Sequence, residues 1–328
     1  MPNPANIELV GVIGAGSAAF ENKQFYDRKL LMRAVPLLVH MQFGRKDGIP
    51  RGGGNSIEWR RFERPAVATT ALTEGTPPAE TRITIANVAA TVSQYGAFSN
   101  FSDLLDLQGY DPFIASVSDM YGEHMGVTLD TVVRDVITAG TVLQNAGPAA
   151  TRGGASGIGS GMRLNYAELR EAVETLARAD ARRFPDSYYA GIIHPDTTRD
   201  LFADPDIQSI FQNAQDRGDT NPLMKAQVGI IHGIRFVETS NARIVISVGL
   251  SNADVYMTML MGQEYYGTVD FEAQRPQVIV HNPGTSGSYD PLNQVGSIGW
   301  KAAITAARLN NAFAVRIEHT TTRGQALK

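Results

Sequence analysis

Ser56-Ile57-Glu58-Trp59-Arg60-Arg61-Phe62-Glu63, answered by a run rich in Val, Ile, Thr, Tyr and Phe over residues 83–98, decides how this chain is built. The first run carries bulky and charged side chains on both faces, and the second is made of residue types that suit a pleated surface. Together they read as the two arms of one long hairpin over residues 52–98. Between them, residues 65–82 form a tip centred on Thr73-Glu74-Gly75-Thr76-Pro77-Pro78. Its prolines and glycine favour turns and extended backbone and discourage further ladder pairing. A two-stranded ribbon by itself is marginal in water. The hairpin has no evident partner within its own chain, so another subunit is the natural candidate. The feature points to assembly.

Outward from the hairpin, composition sets the bounds. The chain has 328 residues, 43% hydrophobic, enough for a large core organised as two domains or as one with long extensions. Charged residues are 19% and the formal net charge is −4, which argues against a sequence-specific DNA reader. Containing nucleic acid without gripping it stays compatible with that balance. The absence of cysteine removes disulfides, zinc-thiolate sites and cysteine nucleophiles together. No basic residue precedes Lys23, so the apolar stretch before it does not read as a signal peptide. No apolar run approaches the ~20 residues that cross a bilayer. The expectation is a soluble intracellular product with no membrane partner.

Toward the N-terminus, residues 1 to about 20 are small and Gly/Ala-rich and read as an arm. Residues 21–35 have helical spacing and stop at Pro36, and residues 44–50 read as a loop into the hairpin. Toward the C-terminus, Asp111-Pro112 suits a helix start. Apolar residues at Val117, Tyr121, Met125, Leu129, Val133 and Ile137 sustain three-to-four spacing to near Gly140. That predicts a helix roughly 40 Å long, able to act as a strut. Residues 144–161 read as a flexible linker by composition. Asn165 with Glu168 resembles a capping box opening a helix that buries Leu169, Val173 and Leu176. Beyond Pro185 come strands over 188–193, 229–237, 243–248, 255–261 and 277–280, with a short helix over 196–202. The segment 299–318 is strand-like at its end. The class is α+β with a mixed sheet.

Motifs for chemistry fail one by one. Gly14-Ala15-Gly16 with Ala19 matches a shortened dinucleotide fingerprint, but Pro36 cuts the following helical pattern and no second strand ends in a suitably placed acid. The 6 histidines are dispersed without helical metal-site pairing, and His124 reads as a packing residue of the long helix. Asp204-Pro205-Asp206 reads as a turn, and Glu171 with Glu174 as a polar helix face. No Gly-x-Ser-x-Gly elbow or P-loop occurs. The expectation is a protein that is not an enzyme and has no cofactor and no metal.

Ordered fragments along the chain then carry a family resemblance. They are Phe25-Tyr26-Asp27-Arg28, Leu30-Leu31-Met32-Arg33, Trp59-Arg60-Arg61-Phe62, Leu72-Thr73-Glu74-Gly75, Gln94-Tyr95-Gly96, Thr128-Leu129-Asp130, Ala139-Gly140-Thr141, Asp290-Pro291-Leu292-Asn293-Gln294 and Gly299-Trp300-Lys301. In this order they resemble the major capsid proteins of tailed phages, in the branch named after coliphage N-four. The resemblance implies the Hong Kong 97-type fold. It places an N-terminal arm at 1–50, an extended loop at 51–97, and a peripheral domain at 98–162 and 286–328 with a spine helix at 111–140. An axial domain follows at 163–285.

By that resemblance, copies of the chain in pentamers and hexamers would form an icosahedral head around double-stranded DNA, without sequence-specific binding. Assembly in the host bacterial cytoplasm, localisation in the virion, and portal, separate scaffolding and optional decoration proteins as partners go with it. Inter-subunit contacts are expected at Trp59, Arg60, Arg61, Phe62 and Glu74 in the loop, and at Arg28 and Arg33 in the arm. Trp59 and Phe62 packing on their own spine helix is the alternative for those two.

Two departures matter. Some relatives weld subunits through a lysine in the extended loop, yet no lysine lies between Lys46 and Lys225, so no such cross-link is expected. The arm also begins almost at Met1, so scaffolding is expected to come from a separate protein or to be dispensable. An encapsulin-like shell with enzyme cargo would share the fold, and a nucleotide-dependent oxidoreductase rests on the glycines at 14 and 16 alone.

Overall fold

The computed structural model describes residues 38–103, 113–154, 156–213, 230–271, 276–283, 292 and 294–323. The arm helix over 21–35, the glycines at 14 and 16, Arg28, Arg33 and the Asp111-Pro112 helix start lie outside these residues.

In chain order the elements are β1 (Arg45–Ile49), β2 (Ser56–Phe62), β3 (Ile85–Thr91), β4 (Ser93–Ser102), α1 (Phe113–Thr138), β5 (Leu143–Asn145), α2 (Tyr166–Arg178), β6 (Tyr189–Ile193), α3 (Pro195–Phe202) and α4 (Pro205–Asn213). There follow β7 (Ile230–Ile231), β8 (Ile234–Glu238), β9 (Ile244–Val245), β10 (Val255–Met261), β11 (Tyr266–Phe271), β12 (Gln277–His281), β13 (Val295–Arg308) and β14 (Ala314–His319).

Two sheets carry the fold. The first is five-stranded in the order β1-β11-β13-β12, with β4 also paired to β13. Ser297 to Lys301 pair with β12 and with β4 at once, so those strands flank β13 from opposite sides. The second sheet is seven-stranded in the order β5-β14-β10-β6-β8-β7, with β9 on β10. It is mixed, since β5–β14 and β6–β8 are parallel while β10 is antiparallel to its neighbours.

Helix α1 forms because its apolar residues recur every three to four positions and one stripe meets a ready partner. Tyr121, Leu129, Val133 and Ile137 are buried against Ile298, Trp300, Ala302 and Ile304 of β13. Each fully buried side chain of this size contributes about 1.5–3 kcal/mol. A second core lies against the seven-stranded sheet, where Leu169, Ala172 and Leu176 of α2 meet Ile193, Leu260 and Ile317.

The hairpin departs from expectation in three ways. Its return arm is not one strand over residues 83–98. Only β3 pairs with β2, and after Val92 the chain enters the five-stranded sheet as β4. Val92 is buried with Ile49, Val269 and Ala303, while its amide donates to Asn55 O at 2.8 Å, and this plug turns the chain from ribbon to sheet. Alternation announces strand but not which strand it will meet. Second, the ribbon's root does pack on its own chain, with Ile57 and Trp59 against that same cluster. Third, residues 45–49 are strand β1 rather than loop, held parallel to β11 and tied to the ribbon where Trp59 Nε1 donates to Asp47 Oδ2 at 2.7 Å.

Elsewhere the expected linker over 144–161 is built in. Ile158 is fully buried and Leu250 N donates to Ile158 O at 2.9 Å. Arg152 also forks onto the buried carboxylate of Glu318. A side chain at position 153 would place Cβ 2.5 Å from Val248 O, so its glycine permits close approach rather than motion. Asn165 caps α2 by accepting Glu168 N at 2.9 Å, but Glu168 does not reach back to complete the box. Its carboxylate instead receives Gly147 N and Gln144 Nε2. The strand expected over 229–237 is broken by a turn at His232-Gly233, and only Ile244–Val245 of 243–248 is strand.

Candidate assembly surface

Beyond Trp59 the ribbon becomes exposed, although Arg61 and Arg64 still reach Leu309 and Asp180 of the body. Every residue from Arg60 to Ile85 is exposed, and residues 64–84 belong to no strand or helix. Phe62, Val67, Leu72 and Ile83, all large apolar side chains, are 69–75% exposed. Scattered exposed apolar residues are ordinary. Here four lie on one projecting segment. The tip turns at Thr73-Glu74-Gly75-Thr76, where Thr76 N donates to Thr73 O at 3.1 Å and Gly75 has φ +79°. That positive angle at the third turn residue is one a side chain resists.

The structure separates the expected contact residues. Trp59 lies at the root, packed on β1, β11 and β13 of its own chain rather than on α1, and a Cβ on Gly267 would come within 3.0 Å of its ring. Arg61 donates to Leu309 O at 3.1 Å and pairs with Glu63 at 2.9 Å. Arg60 has only Glu58 at 3.9 Å, and Arg64 reaches Asp180 at the same distance with both side chains more than 80% exposed, which makes these weak contacts. Phe62 projects into solvent. Glu74, at the tip, has no ion-pair partner among the described residues, and it is far from the Trp59–Phe62 group along the ribbon.

The chain has two notable concavities. A cleft of about 880 Å³ under the ribbon is lined by Arg60, Arg61, Arg64, Asp180 and Arg182. A groove of about 400 Å³ lies on the five-stranded sheet, lined by Tyr95, Phe98, Ile279, Gly299 and Lys301. Sequence reasoning missed the groove. Its residues come from three strands, and only the register of β4, β13 and β12 brings them together.

The buried ionisable groups are structural fixtures. Burial pushes the Asp130 carboxyl up, but hydrogen bonds and charge from His40, with Asn241, outweigh it and hold the group below its ordinary value. Burial pushes the His319 imidazole down to about 4, with Thr258 Oγ1 2.9 Å from Nε2. Burial pushes the Tyr265 hydroxyl up to about 12, and it donates to Ile137 O at 2.6 Å. His124 accepts Trp300 Nε1 at 2.9 Å, the packing role expected of it. The acids at 204 and 206 serve a helix start, with Asp204 accepting Asp206 N and Tyr166 N. Among the described residues no group of three or more His, Asp or Glu is placed to hold a metal ion, and no helix is long and apolar enough to cross a membrane.

Comparison with known proteins agrees with this geometry. The sequence profile of the family described as phage capsid protein matches residues 86–317. No curated relative matches the sequence. Among solved structures, the capsid asymmetric unit of cyanophage Pam1 superposes with a TM-score of 0.72 at 15% identity, covering 94% of this chain and 98% of that one. The capsid of cyanophage P-SCSP1u gives 0.69 at 14%, covering 98% and 99%. The capsid of Ralstonia phage GP4 gives 0.69 at 10%, covering 94% and 98%. At these identities the likeness is one of fold, and the fold is the α+β, Hong Kong 97-type architecture.

Proposed function

Because this chain belongs to the phage capsid protein family, we propose that it is the major capsid protein of a tailed phage, whose copies close into an icosahedral head around double-stranded DNA. One observation carries the reading: the uninterrupted exposure of residues 60–85, with four large apolar side chains each at least 69% exposed. A segment of that kind is stabilised by burial on a neighbour, and many such contacts per shell make loss of any one copy improbable through effective concentration.

In this reading residues 98–162 and 286–328, with α1 as spine, are the peripheral domain and residues 163–285 the axial domain, which meets its copies around five-fold and six-fold axes. Residues 51–97 are the extended loop. Arg60, Arg61, Phe62 and Glu74 contact neighbouring subunits, while Trp59 anchors the ribbon whose tip makes those contacts. Arg28 and Arg33 belong to the arm that ties capsomers together. Portal and separate scaffolding proteins complete assembly in the host bacterial cytoplasm, and the resemblance of the ordered motifs supports the branch named after coliphage N-four. DNA is content rather than ligand, in keeping with a net charge of −4.

The test is negative-stain microscopy of the full chain, expressed alone and with the assembly proteins of its phage. Closed shells of uniform diameter, filled with DNA when packaging proteins are present, are the expected result. A solitary monomer under every condition overturns the proposal, and shells that enclose a partner enzyme instead of DNA replace it with a protein nanocompartment.

A further inference from the structure

Past its last ladder residue the chain is tied down mainly by side chains. Strand β14 ends at His319, opposite Tyr256 of β10. Residues 320–323 then form a strap in no strand or helix, yet Thr320 and Thr321 are almost wholly buried. Thr320 is held to the Gly-rich run, its amide donating to Met162 O at 2.9 Å and its hydroxyl to Gly159 O at 3.0 Å. Thr322 is held to α3, its amide and hydroxyl donating to the two oxygens of the buried Asp200 carboxylate at 2.7 and 2.8 Å. Arg323 adds only an exposed contact to Asp196 at 3.9 Å, which is worth little.

Two histidines meet the Tyr256 ring at the base of this strap. His319 stacks on it at 6.2 Å, and His194 approaches edge-on at 5.2 Å. The Tyr256 hydroxyl itself joins α3 to the strap, donating to Asp196 Oδ2 at 3.0 Å and bonded to the Thr321 side chain. Both imidazoles are placed for the neutral form. His194 caps α3 by accepting Asp196 N on Nδ1 at 3.1 Å, a bond that a proton on Nδ1 removes. His319 Nδ1 lies 3.2 Å from Thr320 O, which only accepts, so Nδ1 carries the ring hydrogen and Nε2 accepts from Thr258 Oγ1 at 2.9 Å. The charged groups facing this cluster are Asp196 and Asp200 on α3, Glu238 on β8, Asp254 ahead of β10, Glu318 on β14 and Arg323 on the strap. Glu318 is already paired with Arg152 and Arg316, and burial outweighs the other acids, holding both imidazoles below their ordinary value.

A proton on either ring therefore calls for water, and the strap is the least costly way to admit it. Strand β14 is paired on both sides, with β5 up to Glu318 and with β10 up to His319, so freeing it breaks the seven-stranded sheet. Peeling back residues 320–323 breaks only the few bonds named above, the kind of local opening that precedes global unfolding. We infer that residues 320–323 are an acid-released latch, which lets go of Asp200, Gly159 and Met162 when His319 and His194 become charged, while both sheets stay folded. The latch belongs to the single chain and does not depend on assembly.

Hydrogen-exchange mass spectrometry on the full chain tests it, with rates corrected for the intrinsic effect of pH. Peptides carrying residues 320–322 should lose protection by about tenfold per pH unit as pH falls from 6.5 toward 4, and more steeply where both rings take up protons. Peptides from α2 should keep theirs. His319→Gln should flatten the slope of the strap, and His194→Asn, which keeps an acceptor at the cap, should reduce it. Thr322→Ala removes one bond to Asp200 and no titrating group, so it should speed strap exchange at every pH and leave the slope alone. Loss of protection in α2 together with the strap would mean general acid unfolding and overturn the latch, as would a strap whose protection does not change with pH. A slope that survives both histidine changes would assign the response to Asp196 and Asp200 and overturn it as well.

Discussion

Asp130 and His40, 90 residues apart, are joined twice: one carboxylate oxygen accepts the His40 amide at 2.9 Å, and the other lies 2.7 Å from the ring Nδ1. Asn241 Nδ2, half-buried, adds a third bond at 2.8 Å to this buried pair. The chain ahead of β1 is thereby pinned to the middle of α1. Asp130→Ala should cost about 3 kcal/mol in urea unfolding, because it strands two buried donors and the ring. Asp130→Asn, which keeps one acceptor, should cost less. The folded carboxyl titrates below its ordinary 3.8, so its contribution is complete above that value and is lost as pH falls through the lower, folded one. The difference between wild type and Asp130→Asn should therefore shrink only in strong acid.

His319 predicts a second acid response in a milder range. The ring is fully buried, stacked on Tyr256 at 6.2 Å, and faces His194, Asp200 and Glu318. Its pKa falls from 6.5 unfolded to about 4 folded, so the unfolded chain takes up the proton first. Stability is complete above pH 6.5 and declines as pH drops toward 4, by on the order of 3 kcal/mol. His319→Gln should be less stable than wild type at pH 7.5 through lost packing, and the gap should narrow by most of that amount at pH 4.5. A gap that does not change with pH would show that this ring does not govern the response.

Arg152 tests whether the glycine-rich stretch is architecture. Its guanidinium is held above its ordinary pKa chiefly by the hydrogen bond to Glu318, whose side chain is 0% exposed and also has Arg316 Nε at 2.9 Å. Arg152→Ala should cost about 2–3 kcal/mol by leaving that buried charge half-compensated. Gly153→Ala should cost about 1–3 kcal/mol by overpacking against Val248 O. A mobile linker would tolerate both, and thermal melting distinguishes the outcomes.

That stretch shows where sequence reading stopped. Helix α1 was legible because its signal is local: apolar residues at fixed spacing report one face whatever covers it. The Gly-rich run at 147–161 spells flexibility in the same local terms, and partners distant in sequence fix it in place, among them Leu250 at Ile158 and Glu318, 166 residues from Arg152. Strand β13 was hidden for a related reason. Its glycines and alanines at 296, 299, 302, 303, 306 and 307 have weak strand preference, and they are tolerated because Phe101 and Phe98 lie over the two glycines. The projecting loop was readable as an unpartnered hairpin, whereas the groove exists only through register.

The loop's composition sets a chemical expectation. With no lysine between Lys46 and Lys225, the ribbon and its tip carry no amine to form an isopeptide bond. Shells boiled in detergent should run wholly at the subunit position. A ladder of linked subunits would show a cross-link made from some other residue pair.

Proteolysis gives the most direct view of the loop in its two settings. Trypsin cuts after arginine but not before proline, so Arg64-Pro65 resists and Arg82-Ile83 is open, in backbone that is exposed and in no strand or helix. Arg60 and Arg61 are protected in part by the β2–β3 ladder, which must open locally before the chain can enter a protease. Unassembled subunits should therefore be nicked after Arg82, and after Arg51 in the exposed turn ahead of β2, giving fragments that stay associated through the β2–β3 ladder and the five-stranded sheet. In shells, burial of the tip on a neighbour should slow the cut after Arg82 by more than about tenfold, which needs only about 1.4 kcal/mol of protection. Trp59→Ala should remove the anchor to Asp47 and the root cluster, adding cuts after Arg60 and Arg61 in the free subunit. Equal cleavage at Arg82 in subunits and in intact shells would mean that the tip stays in solvent after assembly, and the role given to residues 60–85 would have to pass to another surface.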